Sequence, residues 1–129
     1  MQVLRIIGGA VVGVISWFVI VSLLDFLLRF SWHDYSVNWK AMTFTLPMMA
    51  ARLSESAISS LLSGLAAAMV DRGRWAALLS GLIILAIFLP EHYAIWNKFP
   101  PWYHLTFLIS LPVLAYVGSL FVEPKPAAA

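Results

Sequence analysis

Four charged residues lie at the edges of long apolar stretches, where an ionisable group is costly and therefore informative. Asp25 and Arg29 come near the end of the first stretch, and Arg52 and Glu55 come near the start of the second. A charge at the centre of a bilayer costs about 2.5–3.5 kcal/mol even on insertion scales, so such groups pair or line water. Counting about 1.5 Å per helical residue places all four at a similar depth. The sequence predicts one intramembrane charged layer with no net charge.

This charged layer has two interpretations of equal weight. It is an ion-pair lock that fixes how the first two helices pack, or it is a proton-linked or ion-linked site, as intramembrane ionisable groups often are. The spacing of Arg52 and Glu55 allows a contact within one helix. Asp25, on the neighbouring helix, is the other partner within reach of Arg52.

The second apolar stretch carries one polar face. At about 100° per residue, the side that holds Arg52 and Glu55 also collects four serines: Ser56, Ser59, Ser60 and Ser63. Small residues four apart are typical of helices that approach closely in lipid, and we prefer that packing role. The alternative is a hydrated path lined by hydroxyl groups.

The connections on the same side as the charged layer are rich in aromatic, histidine and acidic residues: Trp32, His33, Glu91, His92, Trp96, Trp102 and His104. Imidazole and carboxylate groups bind zinc, copper or iron, but no spacing matches a metal motif, and we predict neither a metal nor a cofactor. Trp and Tyr concentrate at membrane interfaces, which favours an aromatic belt. The alternatives are a lid over the charged layer, a docking surface for a membrane partner, or a shelf for a lipid headgroup or quinone ring.

Long apolar helices must position these groups. The 129-residue chain is 62% hydrophobic and 11% charged, with a mean hydropathy of +0.90, whereas soluble domains are about 25% charged. A helical crossing takes about 20 apolar residues, so four crossings use nearly the whole chain. The sequence predicts an all-α, integral membrane four-helix up-down bundle as a single domain over residues 1–129. The spans are predicted at 3–30, 47–70, 75–90 and 102–122, with a flexible tail at 123–129.

Three local features refine this arrangement. The segment 31–46 is too polar to span and is predicted to lie along the headgroups. The third span ends at Pro90 or continues to Trp96 across a proline kink. Gly9 and Gly13 favour a close helix crossing on a face roughly opposite Asp25, against a bundle neighbour or a second copy.

Lys and Arg in short loops indicate the orientation. With the N-terminus inside, the inner side holds Arg5, Arg72, Arg74 and Lys125, and the outer side holds Arg29, Lys40 and Lys98. The compact turn with Arg72 and Arg74 favours cytoplasmic N- and C-termini. Short loops are typical of a bacterial inner (plasma) membrane protein.

The motifs present argue against several function classes. No basic run indicates nucleic acid, and no nucleophile triad, Gly-rich phosphate loop or paired-carboxylate motif indicates an enzyme. We therefore expect a non-enzymatic subunit or accessory (scaffold) protein of a membrane assembly, in contact with the lipid bilayer and with a membrane-protein partner or a second copy. The alternative is a homo-oligomeric transporter or channel that moves a small solute or ion past the charged layer.

Overall fold

The structure is a computed structural model that describes residues 2–124. It contains five α-helices and one short 3-10 helix: α1 Gln2–Ser31, α2 His33–Trp39, α3 Leu46–Asp71, α4 Trp75–Ala94, the 3-10 helix Trp96–Lys98 and α5 Pro101–Ser119. Helices α1, α3, α4 and α5 are long and apolar enough to cross a membrane. The predicted all-α fold is confirmed, and a four-helix bundle fits these helices. Lys125 and the rest of the predicted tail, 125–129, lie outside the described residues.

Two helix ends differ from the predicted spans. Helix α4 runs through Pro90 to Ala94, which corrects the predicted end at residue 90 in favour of the longer alternative. A proline removes one intrahelical hydrogen bond, and α4 continues for one more turn beyond it. Helix α5 ends at Ser119 rather than at residue 122, because the chain turns over residues 120–122.

The four long helices form a bundle in which α1 and α5 lie at opposite corners. Helices α3 and α4 each pack against both α1 and α5, and they also contact each other. The connection 72–74 between α3 and α4 lies at the end of the bundle that also holds both described chain ends, which we call the turn end. The other end, which we call the aromatic end, holds α2, the segment 40–45 and the 3-10 helix.

Backbones approach closely in the half of the bundle nearest the turn end. A Cβ atom added to Gly64 of α3 would collide with the backbone of Ala115 in α5, and one added to Gly118 would collide with the backbone of Leu61. Small residues at a crossing allow this approach in helices that pack in lipid. The turn half of the bundle is therefore closely packed.

The inward face of α1 follows a single row of residues spaced by four. Gly9, Gly13 and Trp17 are buried, Val21 packs against the core, and Asp25 bonds to other elements of the bundle. Residues four apart are offset by about 40° around a helix, and such rows form the ridges of crossed helices. Four such steps from Gly9 to Asp25 amount to about 160° around the helix axis, so the two ends of the row lie on roughly opposite faces of α1 and the contact line winds around the helix. Within the chain, the glycines pack against α3 and α4.

Polar contacts join the helices at the turn end. The Asp71 carboxylate accepts hydrogen bonds from the backbone N–H groups of Gly73 and Ala76, each at 3.0 Å. Arg74 Nη1 donates to the Ser119 and Val122 carbonyl oxygens at 2.7 and 3.0 Å. Cationic donors stabilise the unpaired carbonyl groups at a helix C-terminus. The turn between α3 and α4 thus fixes the end of α5.

A column of rings closes the aromatic end. Tyr35 stacks on Phe44, Phe44 on Phe99, and Phe99 on Tyr103, with ring centroids 5.3, 5.9 and 4.4 Å apart. Met48 completes this buried cluster. The segment predicted to lie along the headgroups therefore folds over the bundle, and it turns the Tyr35 ring inward.

Candidate functional site

A cavity of about 270 Å³ lies between α1, α3, α4 and α5 in the half of the bundle nearest the aromatic end. Residues of the charged layer form part of its wall. Its polar lining includes Asp25, Arg52, Glu55, Ser56 and His92. Its aromatic lining consists of Trp17, Phe18, Trp39, Phe88, Tyr103 and Phe107. Three of the four predicted layer residues therefore line one cavity, and Arg29 lies beside it.

Both oxygens of the Asp25 carboxylate have protein partners. Tyr35 Oη donates to Oδ1 at 2.6 Å, and Trp39 Nε1 donates to Oδ2 at 3.1 Å. Arg29 Nε lies 3.2 Å from Oδ2, and its guanidinium group lies 4.2 Å from the Trp39 ring centroid. Burial and the hydrogen bond to Asp25 raise the pKa of the Tyr35 hydroxyl, so this group stays a hydrogen-bond donor.

Arg52 is held by tyrosine hydroxyl groups. Its Nε donates to Tyr103 Oη and its Nη1 donates to Tyr35 Oη, both at 3.0 Å, and its guanidinium carbon lies 4.6 Å from the Phe44 ring centroid. Within residues 2–124, Arg29 with Asp25 is the one ion pair shorter than 4.0 Å. This corrects the expected direct contact of Arg52 with a carboxylate. The Tyr35 hydroxyl lies between Arg52 and Asp25, because it accepts from one and donates to the other.

Glu55 differs from the other charged groups because one oxygen of its carboxyl group has no hydrogen-bond partner among the described residues. The residue is 8% exposed, and its Oε1 accepts no hydrogen bond from any described residue. The neighbouring Ser56 is 1% exposed, and its Oγ is likewise unpartnered within the same part of the chain. Buried polar atoms are paired in the great majority of cases. Both residues line the cavity.

The remaining serines of the polar face are satisfied within the bundle. Ser59 and Ser63 donate to the backbone carbonyls of Glu55 and Ser60, and Ser60 Oγ accepts a hydrogen bond from Trp17 Nε1 at 3.0 Å. All three are buried. Their contacts favour the packing interpretation, whereas Ser56 belongs to the cavity.

Two of the three histidines form a coupled pair. His92 Nδ1 lies 2.7 Å from His104 Nδ1, and His104 Nε2 lies 3.0 Å from the Trp96 carbonyl oxygen. A carbonyl only accepts, so His104 Nε2 carries a proton. When His104 is neutral, its Nδ1 accepts, and His92 Nδ1 is the donor. The Trp96 ring stacks on His104 at 4.6 Å, and His92 lines the cavity.

The other members of the predicted aromatic and histidine cluster are not part of this hydrogen-bonded pair. His33 and Trp102 are exposed, and Trp32 stacks on Tyr35 at 6.0 Å. Glu91 is exposed and lies at the rim of the cavity. Among the described residues, no group of three or more His, Cys, Asp or Glu side chains is arranged to hold a metal ion.

The site residues that sequence reasoning missed are aromatic. Tyr35, Tyr103 and Trp39 supply the hydrogen bonds that hold Arg52 and Asp25. A signal existed, since an aromatic ring with a polar tip needs a partner when it is buried. The preference of Trp and Tyr for membrane interfaces did not indicate that these rings would face the interior of the bundle.

The functional interpretation of this site rests on its geometry alone. No protein-family model matches the chain, and neither a curated protein nor a solved structure matches it significantly. The arrangement offers a hydrogen-bond network, one buried carboxyl oxygen without a hydrogen-bond partner among the described residues, and walls of aromatic rings. Such a cavity can bind a small ligand with a few polar contacts.

Proposed function

We propose that this protein is a non-enzymatic membrane protein that binds a small ligand in the cavity and serves as the ligand-binding subunit or accessory protein of a larger membrane assembly. The observation that carries this proposal is Glu55, which lines the cavity, is 8% exposed and has a carboxyl oxygen, Oε1, with no hydrogen-bond partner among the described residues. Leaving a buried charge uncompensated costs several kcal/mol, about 3–5 where it has been measured. A ligand that completes this contact recovers that free energy.

The rim of the cavity supports access from the side. Ser22 of α1 and Glu91 of α4 both line the cavity and are both exposed. They lie on neighbouring helices, so the opening falls between α1 and α4. A ligand that partitions to the membrane interface reaches Glu55 through this opening without a change in the helix bundle.

The transporter remains the second candidate, because the charged groups of the cavity are the type used in membrane pathways. The contact of Gly64 with Ala115 and that of Gly118 with Leu61 close the turn half of the bundle. Transport therefore requires that these helices separate, whereas ligand binding does not. This difference favours the binding role.

The proposal includes a location. We place the protein in a bacterial inner membrane with both termini in the cytoplasm. Arg72 and Arg74 at the turn end support this orientation through the charge rule for short loops. The short connections between the helices support the choice of membrane.

The test is to purify the protein gently and identify by native mass spectrometry what remains bound. We expect a stoichiometric small molecule on the native chain and about a tenfold lower occupancy in Ser56→Leu, which fills the cavity. Ser54→Leu is the matched control, because Ser54 lies on the same helix and is exposed. Equal occupancy in the two variants would refute a ligand site at this place, provided that both melt at similar temperatures.

The same preparation distinguishes the wider roles. A stoichiometric membrane protein that remains attached supports the accessory role. A solute flux into proteoliposomes that Glu55→Gln abolishes supports the transporter instead.

A further inference from the structure

We propose that the occupant of the cavity is a small monovalent organic cation, namely an ammonium group that carries apolar substituents. The proposal rests on the ligand-binding function and names its ligand class. Glu55 supplies the anionic contact, and the surrounding rings supply the rest of the binding surface.

The balance of charge at the cavity favours a single positive charge. Three carboxylates line it, those of Asp25, Glu55 and Glu91. Two guanidinium groups oppose them: Arg52, which lines the cavity, and Arg29, which pairs with Asp25. One negative charge is left over when all five groups are ionised. A monovalent cation neutralises it, whereas an anion would add a second uncompensated negative charge.

Glu55 is the carboxylate that is free to meet this cation. Asp25 is occupied by Tyr35, Trp39 and Arg29, and Glu91 is exposed at the rim. A cation beside Glu55 compensates a buried carboxylate by direct electrostatic attraction, with or without an N–H donor.

The walls of the cavity fit the apolar part of such a ligand. Phe88 lies next to Trp17 and Phe107, with ring centroids 5.2 and 5.3 Å away. The faces of aromatic rings attract cations, and cages of such rings bind quaternary ammonium groups. Trp39 extends the aromatic lining.

Size and ligand number argue against the other cations. The volume of about 270 Å³ lies just below the roughly 300 Å³ at which sites for drug-sized ligands begin, so the ligand is small. Calcium takes about 6–8 oxygen ligands and magnesium needs octahedral geometry. Glu55 Oε1 and Ser56 Oγ are the buried unpartnered oxygens that the described residues offer.

The experiment compares choline with 3,3-dimethylbutan-1-ol, its neutral isostere, on the purified full chain in maltoside detergent. Trp17 and Trp39 line the cavity, so tryptophan fluorescence reports binding, and sodium chloride at equal ionic strength corrects for salt. We expect choline to bind about tenfold more tightly than the alcohol. Glu55→Gln should abolish this preference. Asp34→Asn should keep it, because Asp34 is exposed and lies outside the cavity.

A second variant guards against a folding defect in Glu55→Gln. Phe88→Leu keeps an apolar side chain but removes a ring, and we expect it to reduce the preference for choline by about threefold while the alcohol binds as before. Three results would each overturn the cationic ligand class. They are equal affinity for choline and the alcohol, a preference for choline that Glu55→Gln leaves unchanged, and a folded protein that does not bind choline. The ligand-binding function itself is judged separately, by the occupancy of Ser56→Leu against Ser54→Leu.

Discussion

A single hydroxyl group connects two charges that belong to different helices. Tyr35 is fully buried, and its Oη donates to Asp25 of α1 while it accepts from Arg52 of α3. Direct pairing of buried charges requires close geometry to offset desolvation. A hydroxyl between them relaxes that requirement, since it satisfies both groups at hydrogen-bond distance. Tyr35 therefore fixes the charged layer from α2, outside the four long helices.

Replacing Tyr35 by Phe should destabilise the bundle, because the ring remains but Asp25 and Arg52 each lose a partner. We expect a loss of about 1–3 kcal/mol in the free energy of unfolding, the usual penalty for unsatisfied buried polar groups. Tyr93→Phe makes the same chemical change at a residue that is 85% exposed. Thermal melts in detergent measure both variants. If they melt at the same temperature, the hydroxyl bridge contributes nothing.

The sequence predicted the depth of the charged residues but not their contacts. Helical rise and the ends of the apolar stretches were enough to bring Asp25, Arg52 and Glu55 to one cavity. The contacts depended on Tyr103 of α5 and on Tyr35, whose orientation follows from how segment 32–45 folds over the bundle. Hydropathy places an aromatic residue at an interface, but it does not indicate whether the ring faces lipid or protein.

Helix contacts in the turn half depend on glycine at defined positions. In lipid, apolar area gives little preference for one helix neighbour over another, so close van der Waals packing has to do so. Gly64 and Gly118 on α3 and α5 each meet the backbone of the facing helix. This reciprocal arrangement holds the two helices at short range. It leaves no room for a side chain at either position.

Gly64→Ala should therefore be strongly destabilising, because the new Cβ overlaps the Ala115 carbonyl group. We expect a loss of at least about 1–3 kcal/mol, as for overpacked cores. Gly8→Ala is the control, since a Cβ there meets only Val70 Cγ1 at 3.9 Å. Alanine is the better helix former by up to about 1 kcal/mol, so the control should be neutral or stabilised. Resistance to unfolding in SDS distinguishes the two variants, and equal resistance would contradict the close α3–α5 contact.

At the level of helices, the periodicity of α3 predicted its buried face well. Ser56, Ser59, Ser60 and Ser63 are all buried, because a helix with one polar side orients itself toward its neighbours in an apolar medium. The inward face of α1 was harder to predict, since that helix is apolar almost throughout. A helical-wheel projection assumes that the buried face runs parallel to the helix axis, whereas the row of contact residues from Gly9 to Asp25 winds around α1.

The whole molecule divides into two halves with different properties. The turn half is joined by backbone contacts at Gly64 and Gly118 and by arginine donors at the end of α5. The aromatic half holds the cavity, Glu55 and the histidine pair. Rigid packing at one end allows the other to keep an open space without loss of the fold. The proposed ligand site therefore lies nearer to the membrane surface at which the aromatic end is located.

Cysteine labelling determines which side that is, and the chain contains no cysteine of its own. Asn97→Cys places a thiol at the aromatic end, and Glu123→Cys places one at the turn end, both at exposed positions. With cytoplasmic termini, an impermeant maleimide should label residue 97 in intact spheroplasts and residue 123 only after permeabilisation. Ile58→Cys, at a lipid-facing position in α3, should stay unlabelled in both conditions. The opposite pattern would reverse the orientation, whereas labelling of 97 and 123 from the same side would contradict the four-helix crossing itself.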